Sequence, residues 1–215
     1  MNSTGLNKLR DYWESLRNGR TAPYRAELDP RKFEDVLENM FILEQLHPDQ
    51  VRVRLAGMAL CEMMGMEVRG MPPEAFIDAA HRRDFSRHVA AVLDGPAVVE
   101  LDLLASDASG SDVVSQMLLL PLRSDFGEVT RILGCVVAET ANIRAPVNFS
   151  ITGDRLTRIH PSTIESPAGS MPGFAEDATP FAPPPPEAAL RSVADNPNVV
   201  KTPRRGQLRV VSGKR

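Results

Sequence analysis

Residues Phe41 to Gly65, FILEQLHPDQVRVRLAGMALCEMMG, contain two strand patterns and a helix pattern in close succession. The first part of this stretch, Phe41 to Leu46, is a strand candidate, and a turn containing proline and aspartate separates it from a second strand at Gln50 to Leu55. An apolar helix, Met58 to Met64, follows and ends at Gly65, the residue type that most often ends helices. The stretch therefore predicts a hairpin whose chain then crosses to one face of a sheet.

The second strand of this hairpin has a clear alternation. Val51, Val53 and Leu55 alternate with Arg52 and Arg54. Because successive side chains of a strand point to opposite faces, this pattern predicts that the three apolar residues lie on one face and the arginines on the other.

Two helices are predicted before the hairpin. The first has one apolar stripe, formed by Leu6, Leu9, Trp13 and Leu16, and a stop at Asn18-Gly19. The second starts at Asp29-Pro30, a suitable cap followed by a proline at the first helical position. Its apolar face consists of Phe33, Val36, Leu37 and Met40.

Helices and then strands follow the hairpin. A short helical piece at Glu74 to Ala79 precedes a longer helix at Arg82 to Leu93. Three strand candidates with short connections complete the body: Ala97 to Leu104, Asp112 to Leu122 and Glu128 to Ala138. The order predicts an α+β fold with an antiparallel sheet.

The carboxyl-terminal part differs in composition. Residues 161–203 contain ten of the eighteen prolines and few large apolar side chains, which is typical of a disordered segment. The sequence therefore predicts three parts: an N-terminal helix at 1–20, a folded domain at 21–145, and a proline-rich disordered tail at 146–215 with a basic end.

The charges exclude some partners. Residues 1–150 carry a net charge of −6, and the last fifteen residues carry +6. An acidic body lacks the basic face of a nucleic-acid-binding domain, so nucleic-acid binding is not expected. No run is long and apolar enough for a membrane span or a signal peptide, and the two cysteines show no paired spacing. A cytoplasmic protein without membrane attachment is expected.

Several short motifs together resemble a PAS-like domain family of bacteria, in particular short stand-alone PAS regulators. The resemblance covers about Leu6 to Asn142. Its motifs, in chain order, are Trp13-Glu14-Ser15-Leu16-Arg17, Pro23-Tyr24-Arg25, Leu28-Asp29-Pro30, Phe41-Ile42-Leu43-Glu44 and Arg54-Leu55-Ala56-Gly57, followed by Gly65 and Gly70.

The resemblance implies a five-stranded sheet in the order second, first, fifth, fourth, third, with the middle helices over one face. The edge strands would then be Gln50 to Leu55 and Ala97 to Leu104, which both have a charged face. The central strands are apolar on both faces and need a second cover. Either the first helix or a partner subunit supplies it. Many PAS domains pair through that helix and sheet surface, so the resemblance implies a homodimer through the stripe Leu6, Leu9, Trp13 and Leu16.

A ligand of such a domain would occupy the space between the sheet and the helices. The candidate pocket residues are Met58, Cys61, Met64, Phe76, Phe85, His88 and Met117. Methionine and phenylalanine at helical spacing are also typical of an ordinary core.

The sequence gives little support for cofactor binding or for catalysis. His81 and His88 could share the inward face of the helix that carries the haem ligand in some PAS proteins, but nothing else defines an axial site. The Asn-Cys-Arg-Phe motif of flavin photosensors is absent, and Cys61 lies on a different element. No phosphate-binding glycine loop, metal-spaced cluster or nucleophile elbow is present, so no catalytic or metal-binding residue is predicted.

The sequence thus predicts a non-enzymatic sensory or signalling regulator that acts through small-molecule binding, protein binding or both. A ligandless adaptor and a haem sensor remain alternatives. A protein partner is expected, and the cofactor, if any, is unknown.

Overall fold

The computed structural model describes residues 3–139 and 142–161. The helices are α1 (Ser3–Arg17), α2 (Met58–Met64) and α3 (Arg82–Asp94), and four 3₁₀ segments lie at Arg25–Glu27, Pro30–Lys32, Glu34–Asn39 and Pro73–Phe76. The strands are β1 (Met40–His47), β2 (Gln50–Ala56), β3 (Ala97–Ser106), β4 (Asp112–Arg123), β5 (Val129–Ala138) and β6 (Ser150–Arg158).

The strands form one antiparallel sheet in the order β2-β1-β5-β4-β3-β6. We call the face toward α2 and α3 the inner face and the face toward α1 the outer face. Two clusters of buried apolar side chains lie on these two faces. The α+β fold, the antiparallel sheet and the order of its first five members are therefore confirmed.

Strand β5 shows why the sheet needs two covers. Ile132 and Val136 are buried in the inner cluster, whereas Leu133 and Cys135 are buried in the outer one. Since side chains alternate along a strand, a strand apolar on both faces must be covered on both.

Helix α1 supplies the outer cover from the same chain. Leu9 and Trp13 are fully buried, and Trp13 Nε1 donates a hydrogen bond of 2.9 Å to the carbonyl oxygen of Pro121. Leu6 belongs to the same cluster, and Leu16 packs against it. These four side chains thus pack against their own sheet, three of them buried and Leu16 partly exposed. That they form a dimer interface stays a prediction.

The sheet has six strands instead of the expected five, because β6 (Ser150–Arg158) lies within the segment expected to be a disordered tail. Strand β6 pairs with β3 from Ala97 to Leu104, so β3 is not an edge. Val147 and Phe149, just before β6, are fully buried in the inner cluster. The ordered part thus extends beyond residue 145, while the rest of the predicted tail, residues 162–215, lies outside the described residues.

The second predicted helix is also corrected. Residues 30–39 form two 3₁₀ segments, and Leu37 is 41% exposed instead of buried. Asp29 Oδ1 accepts a hydrogen bond from Arg31 N as a cap should, but Phe33, with a φ of −142°, interrupts the helical backbone.

Candidate functional site

The space between the sheet and the helices, where a ligand was expected, is filled by side chains. Phe41, Phe76 and Phe85 are fully buried there. The rings of Phe41 and Phe76 meet edge to face, with centroids 5.4 Å apart. Edge-to-face contact is a favourable geometry for aromatic pairs, so these rings form a packed core.

The predicted pocket residues take different places. Met64, Phe76, Phe85 and Met117 belong to the inner core. Met58 is 68% exposed and its prediction is wrong: it is the first residue of α2, whose buried side consists of Leu60, Met63 and Met64.

The two remaining pocket candidates lie at the edges of the inner core. Cys61 packs against its margin, with Sγ 3.9 Å from Glu67 Oε1. His88, on α3, directs Nε2 toward Asp154 Oδ2 of β6 at 3.9 Å. The structure therefore brings four of the seven predicted residues together as core, and the other three lie outside it.

A polar cluster joins the start of α3 to β6. His81 Nδ1 lies 2.9 Å from Asp78 Oδ1, and Ser150 Oγ donates to Asp78 Oδ2. Partial burial alone would raise the pKa of Asp78, but hydrogen bonds from Ser150 and His81 outweigh it and lower the pKa to about 2. The serine donates to the carboxylate and not to the imidazole, so the cluster is a structural link and lacks the serine–base contact of a nucleophilic site.

Strand β2 is irregular at Arg54. Leu43 pairs with Val53, but the preceding residue, Ile42, pairs with Leu55. This one-residue shift is a β-bulge, which reverses the alternation. The prediction that Leu55 shares a face with Val53 is therefore wrong: Val53 is buried in the inner core, whereas Leu55 is 47% exposed on the outer face.

The bulge forms part of a pocket of about 590 Å³ on the outer face, which we call the arginine pocket. Its floor includes Ile42 and Leu55, and four arginines line it from separate elements. They are Arg25 in a 3₁₀ segment, Arg54 in β2, Arg69 in the loop after α2 and Arg131 in β5; Ala26 and Asp125 complete the lining.

The arginine pocket carries excess positive charge. Glu44 pairs with two of the arginines, Arg54 at 3.2 Å and Arg131 at 3.5 Å. Within the part of the chain that the structure describes, the guanidinium groups of Arg25 and Arg69 form no ion pair, although the backbone N of Arg69 donates a hydrogen bond to Glu67. Arg131 Nε is buried without a hydrogen-bond partner. Such a pocket is suited to an anionic ligand.

Comparisons with known proteins identify the family of this chain. A family model for the PAS domain matches residues 1–137, which include α1 and nearly all of the first five strands. The chain belongs to the PAS domain family. Strand β6 lies beyond the matched residues. PAS domains have sensory and signalling roles, and membership of the family gives this chain that general role.

Solved structures similar to this PAS domain include light-oxygen-voltage (LOV) domains. A LOV domain whose mechanism was studied with a flavin analogue is 18% identical, with 52% of this chain and 84% of that chain covered and a TM-score of 0.40. The dark structure of the blue-light photoreceptor Aureochrome1 LOV is 16% identical, with 51% and 80% covered and a TM-score of 0.39. The LOV protein of Rhodobacter sphaeroides is 13% identical, with 66% and 70% covered and a TM-score of 0.39. Among curated proteins, no sequence matches the chain.

The arginine pocket of this PAS domain was not foreseen from the sequence. Arg52 and Arg54 could be recognised as the charged side of a strand, but Arg25, Arg69 and Arg131 lie far apart along the chain. Only the fold brings the elements that carry Arg25, Arg69 and Arg131 close to Arg54 in β2. The bulge that turns Leu55 outward leaves the alternation of residue types unchanged, so the sequence pattern does not reveal it.

Two further properties of the PAS domain bear on its chemistry. In residues 3–139 and 142–161, no helix is long and apolar enough to cross a membrane. In the same residues, no three His, Cys, Asp or Glu side chains come together as a group that could hold a metal ion.

Proposed function

We propose that this PAS domain is a non-enzymatic signalling regulator that acts through protein contacts on its surface, without a ligand enclosed between the sheet and the helices. The observation that carries the proposal is the packing of the inner face. Phe41, Phe76, Phe85 and Met117 are each no more than 1% exposed and occupy the space in which an enclosed ligand would lie. Interiors packed in this way leave no room for a ligand unless side chains move.

A flavin, as studied in one of the similar LOV domains, does not fit these residues. Its ring system would need the volume that the three phenylalanines fill. Cys135 belongs to the outer cluster, and burial raises the pKa of its thiol to about 12, so the thiol stays protonated and unreactive. Cys61 lies at the margin of the inner core near Glu67.

A haem is not supported by the histidines. His81 is held by Asp78, and His88 lies against Asp154 on β6. The side chains of His81 and His88 are 34% and 16% exposed, so both reach the surface. The haem-sensor alternative therefore lacks an axial ligand directed into the core.

The surface offers features that a protein partner could contact. Met58 and Phe126 are 68% and 93% exposed, so both apolar side chains are accessible to a partner. Residues 162–215 continue from β6 and end in the basic run with net charge +6. These features support protein binding.

Native mass spectrometry of the full chain tests the proposal. The expected result is the mass of the polypeptide alone, together with an absorption spectrum that lacks haem and flavin bands. A small molecule retained at one per chain, and lost when Phe76→Trp enlarges a core side chain, would refute the absence of an enclosed ligand. Affinity purification from the source cell, comparing the full chain with one that ends at Pro161, then measures whether partner binding depends on the tail.

A further inference from the structure

We propose that the arginine pocket is a binding site for a small molecule that carries two or more phosphate groups. The site lies on the outer face, whereas the proposed function concerns the inner core and the protein contacts of the surface. The two proposals can therefore fail separately.

Arginines outnumber carboxylates at the pocket. Four arginines line it, together with Asp125, and Glu44 pairs with Arg54 and Arg131. Glu67 is also near, but its Oε1 accepts a hydrogen bond from the backbone N of Arg69 and forms no ion pair with that guanidinium. Within residues 3–139 and 142–161, the guanidinium groups of Arg25 and Arg69 thus form no ion pair. Arginine side chains bind phosphate oxygens through two parallel hydrogen bonds, which makes them well suited to phosphate recognition.

The ion pair of Arg131 is weak. A terminal nitrogen of Arg131 reaches Glu44 at 3.5 Å, near the upper limit for a hydrogen bond. The side chain of Arg131 is 21% exposed, so a ligand can reach it, and a phosphate oxygen at a shorter distance would be a better acceptor than Glu44.

The pocket is large enough for a ligand with several phosphate groups. Its volume of about 590 Å³ is in the range of small-molecule sites and exceeds the space that one phosphate needs. Ile42 and Leu55 provide an apolar floor on which the rest of the ligand could lie. Four arginines from separate elements converge on this one place, which favours a compact ligand over an extended acidic peptide, and the acidic body disfavours nucleic acid.

Isothermal titration of the full chain with inorganic tripolyphosphate at low ionic strength tests this site. Arg25→Gln and Arg69→Gln remove one charge each without breaking an ion pair to an acidic residue, so both variants should fold. Arg83→Gln, an exposed residue of α3 on the other side of the sheet, is the matched control.

We expect one tripolyphosphate to bind per chain. The dissociation constant should rise about tenfold or more in each pocket variant, because each variant loses a hydrogen bond to a charged group, and it should not change in the control. Orthophosphate should bind at least about tenfold more weakly than tripolyphosphate, because it reaches fewer arginines. The proposal is overturned if tripolyphosphate does not bind, if Arg83→Gln weakens binding as much as Arg69→Gln, or if orthophosphate binds equally well. Tighter binding of a poly-glutamate peptide than of tripolyphosphate would overturn it in favour of an acidic protein segment.

Discussion

Replacing Gly134 by alanine would place a methyl group inside the ring of Phe41. A Cβ built on Gly134 lies 2.1 Å from both Cε2 and Cζ of that ring. Carbon atoms in contact rest at about 3.5–4.0 Å, so the ring would have to move by about 1.5 Å. Phe41 is fully buried and meets Phe76 edge to face, so the movement would be passed on to a second core ring.

The expected cost follows from this lack of free space. Overpacking a core costs about 1–3 kcal/mol, and we expect the upper end, about 3 kcal/mol, because the ring is held between the strand and Phe76. For a folded part of this size, the melting temperature should then fall by about 6–12 °C. Gly110→Ala is a suitable control, since nothing lies within 4 Å of its Cβ and only its φ of +81° opposes the change; it should cost about 1 kcal/mol.

Urea unfolding of Gly134→Ala, Phe41→Leu and the double variant measures the contact directly. Phe41→Leu alone should cost about 1–3 kcal/mol as a large-to-small core change, but it also removes the ring that the methyl group meets. The double variant should therefore cost at least about 1 kcal/mol less than the sum of the single changes. A Gly134→Ala protein within about 0.5 kcal/mol of the unchanged chain, or strictly additive costs, would show that this side of the core is loosely packed and would weaken the argument against an enclosed ligand.

Three further changes test other parts of the structure. The folded-state pKa of Asp78 is about 2, below the unfolded value of about 3.9, so the ionised carboxylate stabilises the fold fully above about pH 5 and this effect is lost as the pH falls through 2. In urea titrations, the difference in unfolding free energy between the unchanged chain and Asp78→Asn should therefore narrow by about 1–2 kcal/mol from pH 5 to pH 2. A difference that stays constant over this range would contradict the prediction. A chain that ends at residue 149 lacks β6 and should melt at a lower temperature by circular dichroism than one that ends at Pro161, whereas equal melting would show that β6 adds nothing. Trp13→Phe loses the hydrogen bond to Pro121 and should lower the unfolding free energy by about 1–2 kcal/mol in chemical denaturation. Trp13→Ala also loses the packing of the ring and should lower it by about 3–5 kcal/mol. Equal losses would mean that packing of the ring adds nothing beyond the hydrogen bond.

The parts of the fold that could be predicted from the sequence are those with a local signal. The hairpin of β1 and β2 follows from alternation and a turn, α2 from an apolar run that ends at glycine, and α1 from its stripe. Strand β6 has no such signal. Its side chains are mostly exposed, only Ile151 packs against the inner cluster, and its place is fixed by pairing with β3 about fifty residues earlier.

The site was harder to predict than the fold, for a physical reason. The bulge at Arg54 changes the register of a strand without changing its pattern of residue types, so the alternation wrongly predicts Leu55 on the same face as Val53. The arginines belong to elements that meet only after the sheet has formed. The sequence does indicate most of the inner-core residues, such as Phe76 and Phe85. Whether these side chains enclose a cavity depends on packing, which no local pattern encodes.

The inner core and the arginine pocket lie on two faces of the same strands. Ile42, in the floor of the pocket, is flanked along β1 by Phe41 and Leu43 of the inner core, and Arg131 precedes Ile132 of that core. An anion held by the pocket would bind only the folded chain, because the arginines are brought together by the fold, and it would therefore stabilise the sheet by mass action. Since these neighbours belong to the same strands, movement of β1 or β5 at the pocket must also move core side chains. In a PAS domain with a filled interior, the outer face of the sheet is thus the place where binding can act on the core without opening it.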